Sequence, residues 1–204
     1  MRLILIALFP MTLYGQRYVY YFHGAIVEGK GSGVESPVWG RYEVDQIVER
    51  FKNEGFVVFS EIRPANTEVL SYAARIAEQI KQQLVNGTEA KHITLIGGSK
   101  GAVIAMHVAA YLKNPDLNVV LLGGCHDGTF SAYPSLKLYG NVLSIYEATD
   151  RVAQSCEPLR KRSGEGLSRY KEVKIHTGAD HGFQFRPYEE WVQPALRWAR
   201  GLYD

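Results

Sequence analysis

The amino-acid sequence predicts an α/β fold, with a mostly parallel sheet and helices on both faces. Short apolar runs alternate along the chain with segments that have the apolar spacing of amphipathic helices. Most of these runs are almost continuously apolar, which is typical of parallel strands buried on both faces. A chain of 204 residues with 46% apolar residues can also bury one substantial core. We therefore expect a single domain over residues 16–204.

The first predicted unit is a strand followed by a helix. The β-rich run RYVYYFHG ends at Gly24, and the later segment VDQIVERF has an apolar helical face made of Val44, Ile47, Val48 and Phe51. The second strand is predicted over 55–62 and is closed by Pro64. Thr67 then caps a helix whose apolar stripe consists of Val69, Ala73, Ile76, Ile80 and Leu84.

The same alternation continues to the C-terminal end. The run HITLIGG predicts a strand that leads into a helix over 100–113. Three further strands are predicted over 118–124, 141–148 and 171–178. Pro187 opens the final predicted helix, whose apolar residues are Trp191, Val192, Ala195, Trp198 and Leu202. In parallel sheets of this kind, ligands bind beyond the carboxyl ends of the strands, so functional side chains are expected there.

The charged residues favour a small-molecule partner over a nucleic acid or a membrane. The formal net charge is +2, from 23 basic and 21 acidic residues that form no long run. A nucleic-acid groove or a polybasic membrane patch requires clustered basic residues, which the sequence lacks. No pair of side chains has metal-ligand spacing on one face, so we expect neither a metal site nor another cofactor.

The first fifteen residues, MRLILIALFPMTLYG, have the pattern of a secretory signal peptide. Arg2 precedes an apolar stretch from Leu3 to Leu13, and Gly15 is a small residue at the cleavage point. The stretch is too short for a stable membrane anchor. A buried first strand is the alternative, since LILIAL also suits a sheet core. The signal interpretation predicts a periplasmic or secreted protein.

The two cysteines, Cys125 and Cys156, have two interpretations. In an oxidising compartment they are a candidate disulfide, which would tie together two loops that follow neighbouring strands. Otherwise they are two unrelated thiols.

A candidate nucleophile lies where the strand HITLIGG meets its helix. Ser99 is the centre of the stretch GGSKG, a Gly-x-Ser-x-Gly pattern that holds a serine on a sharp strand-to-helix turn. A serine hydroxyl needs a base to remove its proton, and the base needs a carboxylate to orient it. Asp150 and His181 each follow a later predicted strand and would supply these two groups.

Hydrolysis through a serine also requires N–H donors for the oxyanion of a tetrahedral intermediate. The amide of Lys100, directly after the serine, is one candidate donor. The second would come from Ala25 or Ile26, in the turn that follows the first predicted strand.

Taken together, these stretches resemble the α/β-hydrolases. The motifs YYFHGA, LIGGSKGAVIA, SIYEATDRV and GADHGF occur in the family's order, and the resemblance extends from Arg17 to the last helix. It implies a serine hydrolase that acts through an acyl-enzyme, with Ser99 as nucleophile, His181 as general base and then acid, and Asp150 orienting His181. Two features depart from the family: the two strands that usually open its sheet are missing or shortened, and Gly98 stands where a larger residue is usual.

Other residues at the predicted strand ends are candidates for the same site. Asp127 and Glu147 are alternative acids, and Asp150 is preferred because it follows the usual strand. Arg63 could hold a substrate carboxylate through its planar guanidinium, with a loop salt bridge as the alternative. His126, on the ligand side of the sheet, is a second candidate for substrate binding.

The length of one connection bears on the substrate. Only 17 residues, Gly124 to Gly140, separate the strands NVVLLG and NVLSIYEA, too few for the lid domain that shields the site in many α/β-hydrolases. An open site favours a small, accessible ester-type bond. The alternatives are an acyltransferase that uses the same three residues and a non-catalytic binding protein on the same fold.

Overall fold

The computed structural model describes residues 15–204, so residues 1–14 of the predicted signal segment lie outside the described residues. The strands of the described part are β1 (Tyr18–Phe22), β2 (Glu35–Ser36), β3 (Gly40–Arg41), β4 (Val57–Phe59), β5 (Ile93–Gly98), β6 (Asn118–Leu122), β7 (Gly140–Glu147) and β8 (Leu167–Ile175). Its α-helices are α1 (Val44–Lys52), α2 (Val69–Val85), α3 (Lys100–Leu112), α4 (Asp127–Ala132), α5 (Glu157–Arg162) and α6 (Glu189–Ala199).

Six of these strands form one sheet in the order β4-β1-β5-β6-β7-β8. Every neighbouring pair in it is parallel. Phe22 pairs with Gly97 and Gly98 pairs with Leu122, so the carboxyl ends of β1, β5 and β6 meet at one edge of the sheet. The predicted fold class is therefore confirmed, and the topology gathers the strand-end residues at that edge.

Helices cover both faces of the sheet. The core between the sheet and helices α2 and α3 contains Ile104 and Leu121, and the opposite core, beneath α1 and α6, contains Val120 and Trp191. All four side chains are fully buried, and burial of each contributes about 1.5–3 kcal/mol. Among the helices of residues 15–204, none combines the length with the apolar character that crossing a bilayer requires.

Two strands differ from their predicted bounds. Strand β4 spans only Val57–Phe59 of the predicted 55–62, because it is an edge strand that pairs with three residues of β1. Strand β8 begins at Leu167, well before the predicted 171–178, because it pairs with β7 along its whole length. Arg169 and Lys171 are exposed on this second edge, and their charges mask the apolar pattern.

Two helix starts also differ from prediction. The side chain that caps α2 belongs to Glu68 rather than Thr67, and its carboxylate accepts two backbone N–H groups of the first turn at 2.9 and 2.7 Å. Pro187 precedes α6 without opening it, because Tyr188 between them has extended backbone, with φ −62° and ψ 132°.

The antiparallel hairpin β2–β3 was not predicted by the sequence, nor were helices α4 and α5. Each strand of the hairpin has two residues and each helix has six, which is too short for a periodic apolar pattern. At the hairpin turn, the Ser36 hydroxyl oxygen accepts the N–H groups of Val38 and Trp39, both at 3.2 Å. These bonds fix the turn that carries Trp39.

Candidate active site

Ser99 lies on a strained turn between β5 and α3. Its φ of 51° and ψ of −120° are backbone angles that residues with side chains rarely adopt. Strain of this kind costs about 1–3 kcal/mol and persists only where the surroundings enforce it. The N–H of Ser99 donates to the Leu122 carbonyl at 2.8 Å, and the Ser99 carbonyl accepts the Ala102 N–H at 2.8 Å. Both bonds hold the serine at the carboxyl edge of the sheet.

The glycines around Ser99 are required by close packing. A Cβ atom on Gly101 would lie 2.0 Å from the Phe22 carbonyl oxygen, and one on Gly97 would lie 2.2 Å from the Gly101 carbonyl oxygen. Neither position can accept a side chain without moving backbone. At Gly98 the obstacle is different, because a Cβ atom would lie 2.1 Å from Oε1 of the buried Gln184 side chain. Gln184 thus fills the space that a larger residue would take at Gly98.

The three residues of the predicted triad are brought together by the structure. Nδ1 of His181 lies 2.8 Å from Oδ2 of Asp150, and Nε2 lies 3.0 Å from Oγ of Ser99. The other carboxylate oxygen of Asp150 accepts the N–H groups of Val152 and Ala153, both at 2.8 Å. An ionised carboxylate only accepts hydrogen bonds, so this arrangement places the imidazole proton on Nδ1. Nε2 then carries the lone pair that can accept the serine proton.

Glu147 is not the acid that orients His181. Its Oε1 accepts from the N–H and hydroxyl of Thr149, both at 3.3 Å, and its Oε2 accepts from the same two groups of Thr177, both at 2.7 Å. Burial alone would raise the pKa of Glu147, but these hydrogen bonds hold it below its ordinary value. The carboxylate thereby joins the loop that carries Asp150 to the loop that carries His181.

Asp180, the neighbour of His181, faces away from the imidazole and binds Arg151. Although burial works in the opposite direction, hydrogen bonds from Arg151 and from the Trp39 indole hold the pKa of Asp180 well below its ordinary value. The Trp39 ring also meets the His181 ring edge-on, with 5.4 Å between centroids. A Cβ atom on Gly182 would lie 2.6 Å from that of Trp39, so a glycine is needed for this contact.

The predicted oxyanion donors belong to two segments next to Ser99, the start of α3 and the turn after β1. Lys100 begins α3, and Ala25 begins the 3-10 turn Ala25–Val27 that also contains Ile26. The first N–H groups of a helical segment have no acceptor within it, so these amides remain available for a ligand. A Cβ atom on Gly24 would lie 3.7 Å from Cβ of Ser99, which shows how closely this turn approaches the serine.

Arg63 is buried in an internal ion pair, so its predicted contact with a substrate carboxylate is wrong and the alternative, a salt bridge, is present. Its side chain is fully buried, Nε donates to Glu28 Oε1 at 3.1 Å, and Nη2 donates to the His23 carbonyl at 2.6 Å. Lys100 also turns its side chain to Glu28, with Nζ 2.8 Å from Oε2. Arg63 and Lys100 therefore both bind the buried carboxylate of Glu28.

The remaining candidates lie around helix α4. The Asp127 carboxylate accepts the side-chain amide of Gln154 at 2.9 Å, so its prediction as an alternative acid is wrong. His126 is partly exposed and caps α4, with Nδ1 accepting the Thr129 N–H at 3.3 Å. A role of His126 in substrate binding stays a prediction. Within residues 15–204, no three His, Cys, Asp or Glu side chains are grouped to share a metal ion.

Cys125 and Cys156 form a disulfide, which is the first of their two predicted interpretations. Both side chains are buried, and the bond joins the loop after β6 to the segment between β7 and α5. The N–H of Gln154 donates to the Cys125 carbonyl at 2.8 Å and reinforces the same junction. The loop that carries Asp150 is thus covalently tied to the neighbouring loop.

The fold of this chain is similar to that of several solved hydrolase and esterase structures. Esterase PE8 aligns with a TM-score of 0.57 at 16% identity, over 92% of this chain and 93% of that chain. A protein from Pectobacterium atrosepticum described as a YdeN-like hydrolase gives 0.57 at 16% identity, over 92% of both chains. SOBER1 from Arabidopsis thaliana gives 0.52 at 14% identity, over 89% of this chain and 99% of that chain. The chain has the α/β-hydrolase fold.

At these identities, the likeness to other α/β-hydrolase structures is one of fold. No protein-family model matches the sequence. Comparison with curated proteins likewise gives no significant match. In the part of the chain that the structure describes, the six-stranded sheet ends at β4 on one side and at β8 on the other.

Several residues around the site were not found by sequence reasoning. Gln184 places Nε2 3.2 Å from His181 Nε2, Trp39 packs on the His181 ring, and Glu28 binds Lys100. Gln184 lies three positions after His181 in one 3-10 helix, a spacing that could have suggested contact. Trp39 lies in the turn of the β2–β3 hairpin and Glu28 directly follows the turn Ala25–Val27, elements too short for a sequence pattern, so only the three-dimensional structure reveals their partners.

Proposed function

We propose that this protein is a serine hydrolase that cleaves a small, accessible ester-type bond through an acyl-enzyme. The observation that carries the proposal is the continuous hydrogen-bonded chain from Asp150 through His181 to Ser99, at 2.8 and 3.0 Å, on a strained strand-to-helix turn. Backbone strain is retained at sites where it positions a reacting group. The fold shared with esterase PE8 is consistent with this activity.

The first half of the reaction forms the acyl-enzyme. Oγ of Ser99 attacks the ester carbonyl carbon while Nε2 of His181 takes the hydroxyl proton, and Asp150 stabilises the imidazolium that results. The carbonyl oxygen becomes an oxyanion, which the N–H groups of Lys100 and of the turn after β1 stabilise. When the tetrahedral intermediate collapses, the carbon–oxygen bond to the leaving group breaks. His181 gives its proton to the departing alcohol, and the acyl group stays on Ser99.

The second half regenerates the serine. A water molecule loses a proton to Nε2 of His181 and adds to the acyl carbon, and the same N–H groups bind the second oxyanion. Collapse of this intermediate breaks the bond to Oγ of Ser99, which takes the proton back from His181. The products are one carboxylic acid and one alcohol, and the enzyme returns to its initial state.

The connection between β6 and β7 supports a small substrate. It contains the six-residue helix α4, and Ser99 itself is partly exposed. An ester with a short acyl group can reach such a serine without the movement of a covering domain.

A tagged fluorophosphonate tests for an activated serine. We expect it to label the wild-type protein at Ser99, as mapped by mass spectrometry, and to label neither Ser99→Ala nor His181→Ala. A screen of short-chain esters should then give turnover that both variants lack. If folded wild-type protein stays unlabelled, the serine is not activated, and a non-catalytic binding protein becomes the better interpretation. Transfer of the acyl group to added alcohols in preference to water would instead identify an acyltransferase.

We also propose that the protein works in the periplasm or outside the cell. The disulfide between Cys125 and Cys156 supports this location, because such bonds persist in oxidising compartments. Expression of the full chain, followed by cell fractionation and N-terminal sequencing, tests it. Export with a new N-terminus near Gln16 would support the proposal, and uncleaved protein retained in the cytoplasm would refute it.

A further inference from the structure

A single carboxylate connects the two backbone segments that border Ser99. Glu28 follows the turn Ala25–Val27, and 6% of its side chain is exposed. Its Oε1 accepts from Arg63 Nε at 3.1 Å, and its Oε2 accepts from Lys100 Nζ at 2.8 Å. The Lys100 side chain therefore reaches from the start of α3 across to the turn after β1.

On the Arg63 side of this contact, further hydrogen bonds tie the arginine to the end of β1. Arg63 donates its backbone N–H to Nε2 of His23 at 3.1 Å and its Nη2 to the His23 carbonyl at 2.6 Å. The Gly29 N–H in turn donates to the Arg63 carbonyl at 2.9 Å. Glu28 is thus held between a fully buried arginine and the lysine that follows the nucleophile.

The cluster also has an excess of positive charge. Two cationic side chains share the one carboxylate of Glu28, and His23 beside them is neutral at pH 7, because burial and the Arg63 charge lower its pKa to about 4. By charge alone, loss of the Glu28 carboxylate would favour an oxyanion near the N-terminal end of α3, so a slower Glu28→Gln variant would report lost positioning and not lost charge.

We propose that Glu28 is a positioning residue for the oxyanion hole, acting through Lys100. The proposal rests on the proposed hydrolase function. Donors must lie about 2.7–3.1 Å from the oxyanion, and small displacements reduce catalysis strongly. The two predicted donors belong to different segments, the first turn of α3 and the turn Ala25–Val27. The contact of Glu28 with Lys100 fixes the separation of these segments and hence of their N–H groups.

Steady-state kinetics of two single variants and their combination test the connection. Glu28→Gln keeps the side-chain shape, and Lys100→Met keeps the backbone amide and the aliphatic stem. Each should lower kcat for a short-chain ester about tenfold while KM changes less than about threefold. The double variant should be no slower than the slower single variant, because both changes break the same contact. Additive losses would overturn the proposal.

Inhibitor affinity separates positioning from a merely structural role. A trifluoromethyl ketone adds the Ser99 oxygen and forms an anionic adduct in the oxyanion hole, whereas the matching methyl ketone remains largely an uncharged carbonyl. Glu28→Gln should weaken binding of the trifluoromethyl ketone about tenfold, although loss of its negative charge alone would strengthen it, and should leave that of the methyl ketone nearly unchanged. A lower Tm with no change in the ratio of the two affinities would show that the contact serves stability alone.

Two controls keep the outcomes distinct. Lys52→Met removes the exposed ion pair with Glu49 and should match the wild type in every assay. Absence of fluorophosphonate labelling in the wild type would reject the hydrolase function itself. Normal wild-type turnover with unchanged Glu28→Gln and Lys100→Met variants would reject only the role of Glu28. If Glu28→Gln does not fold, Glu28→Asp with the two ketones decides the question, because it keeps the charge that pairs with Arg63 and shortens the reach to Lys100.

Discussion

Arg151 donates three hydrogen bonds to Asp180, from its backbone N–H at 2.9 Å, from Nε at 2.9 Å and from Nη2 at 2.6 Å. The neighbours of these two residues also contact each other. Oδ2 of Asp150 lies 2.8 Å from Nδ1 of His181. Two adjacent contacts therefore join the same two loops, one at the surface and one buried. The surface pair restrains the loop backbone on which the His181 ring depends.

Replacement of Arg151 by Met should lower kcat about threefold with little change in Tm, because an exposed ion pair contributes at most about 1 kcal/mol. The backbone N–H to Asp180 remains in this variant. Higher ionic strength should bring wild-type kcat closer to that of the variant, since salt screens exposed pairs. Arg160→Met, which breaks an exposed pair with Glu157 in α5, is the matched control and should have wild-type kinetics. A loss as severe as that of His181→Ala would contradict this restraining role.

Exchange of Asp150 for Asn should lower kcat roughly 10⁴-fold, because the imidazole then loses the acceptor that selects its tautomer. Circular dichroism should show that the variant is folded. Asp127→Asn serves as the matched control, since the Asp127 carboxylate contacts Gln154 and not His181. We expect near-wild-type kcat for it. A severe loss in Asp127→Asn together with an active Asp150→Asn would reverse the assignment of the acid.

Much of this site could be predicted from the sequence because its chemistry lies at strand ends. The buried strand β5 is a continuous apolar run and is therefore easy to recognise. The glycines of GGSKG are also recognisable, because close packing excludes side chains at Gly97 and Gly101. Because β5 to β8 are parallel and follow one another in the sheet, the carboxyl ends of β7 and β8 lie at the same edge as that of β5. Asp150 and His181 are therefore expected within reach of Ser99.

The direction in which charged side chains point could not be predicted. Arg63 and Glu147 both follow or end a strand at the correct edge, yet one is buried against Glu28 and the other binds threonines of two loops. These orientations depend on partners distant in sequence. Local spacing carries no information on them, and an arginine at a strand end suits a substrate or an internal carboxylate equally well.

Glu147→Gln should lower both stability and activity. The new amide nitrogen is a donor, and it would face the N–H of Thr149 or Thr177, which is also a donor and would lose its acceptor. Loss of one such buried contact costs about 1–3 kcal/mol. Urea unfolding measures this change, and kcat should remain well above that of Asp150→Asn because the His181 acceptor is intact. A variant with wild-type stability but no turnover would instead indicate that Glu147 takes part in the chemistry.

His23 should make stability depend on pH between about 6.5 and 4. Burial and the Arg63 charge lower its pKa from 6.5 to about 4, so in this range the unfolded chain binds a proton that the folded protein does not. The unfolding free energy should therefore fall as pH decreases, by roughly 1.4 kcal/mol per pH unit from this group. The variant His23→Gln is the comparison, because it retains an acceptor for the Arg63 N–H and has no group that titrates at this position. Urea unfolding of both proteins from pH 7 to 4.5 tests the difference, because the lowered pKa values of His92 and His107 affect both equally. Parallel pH profiles for the two proteins would mean that His23 does not titrate differently on folding.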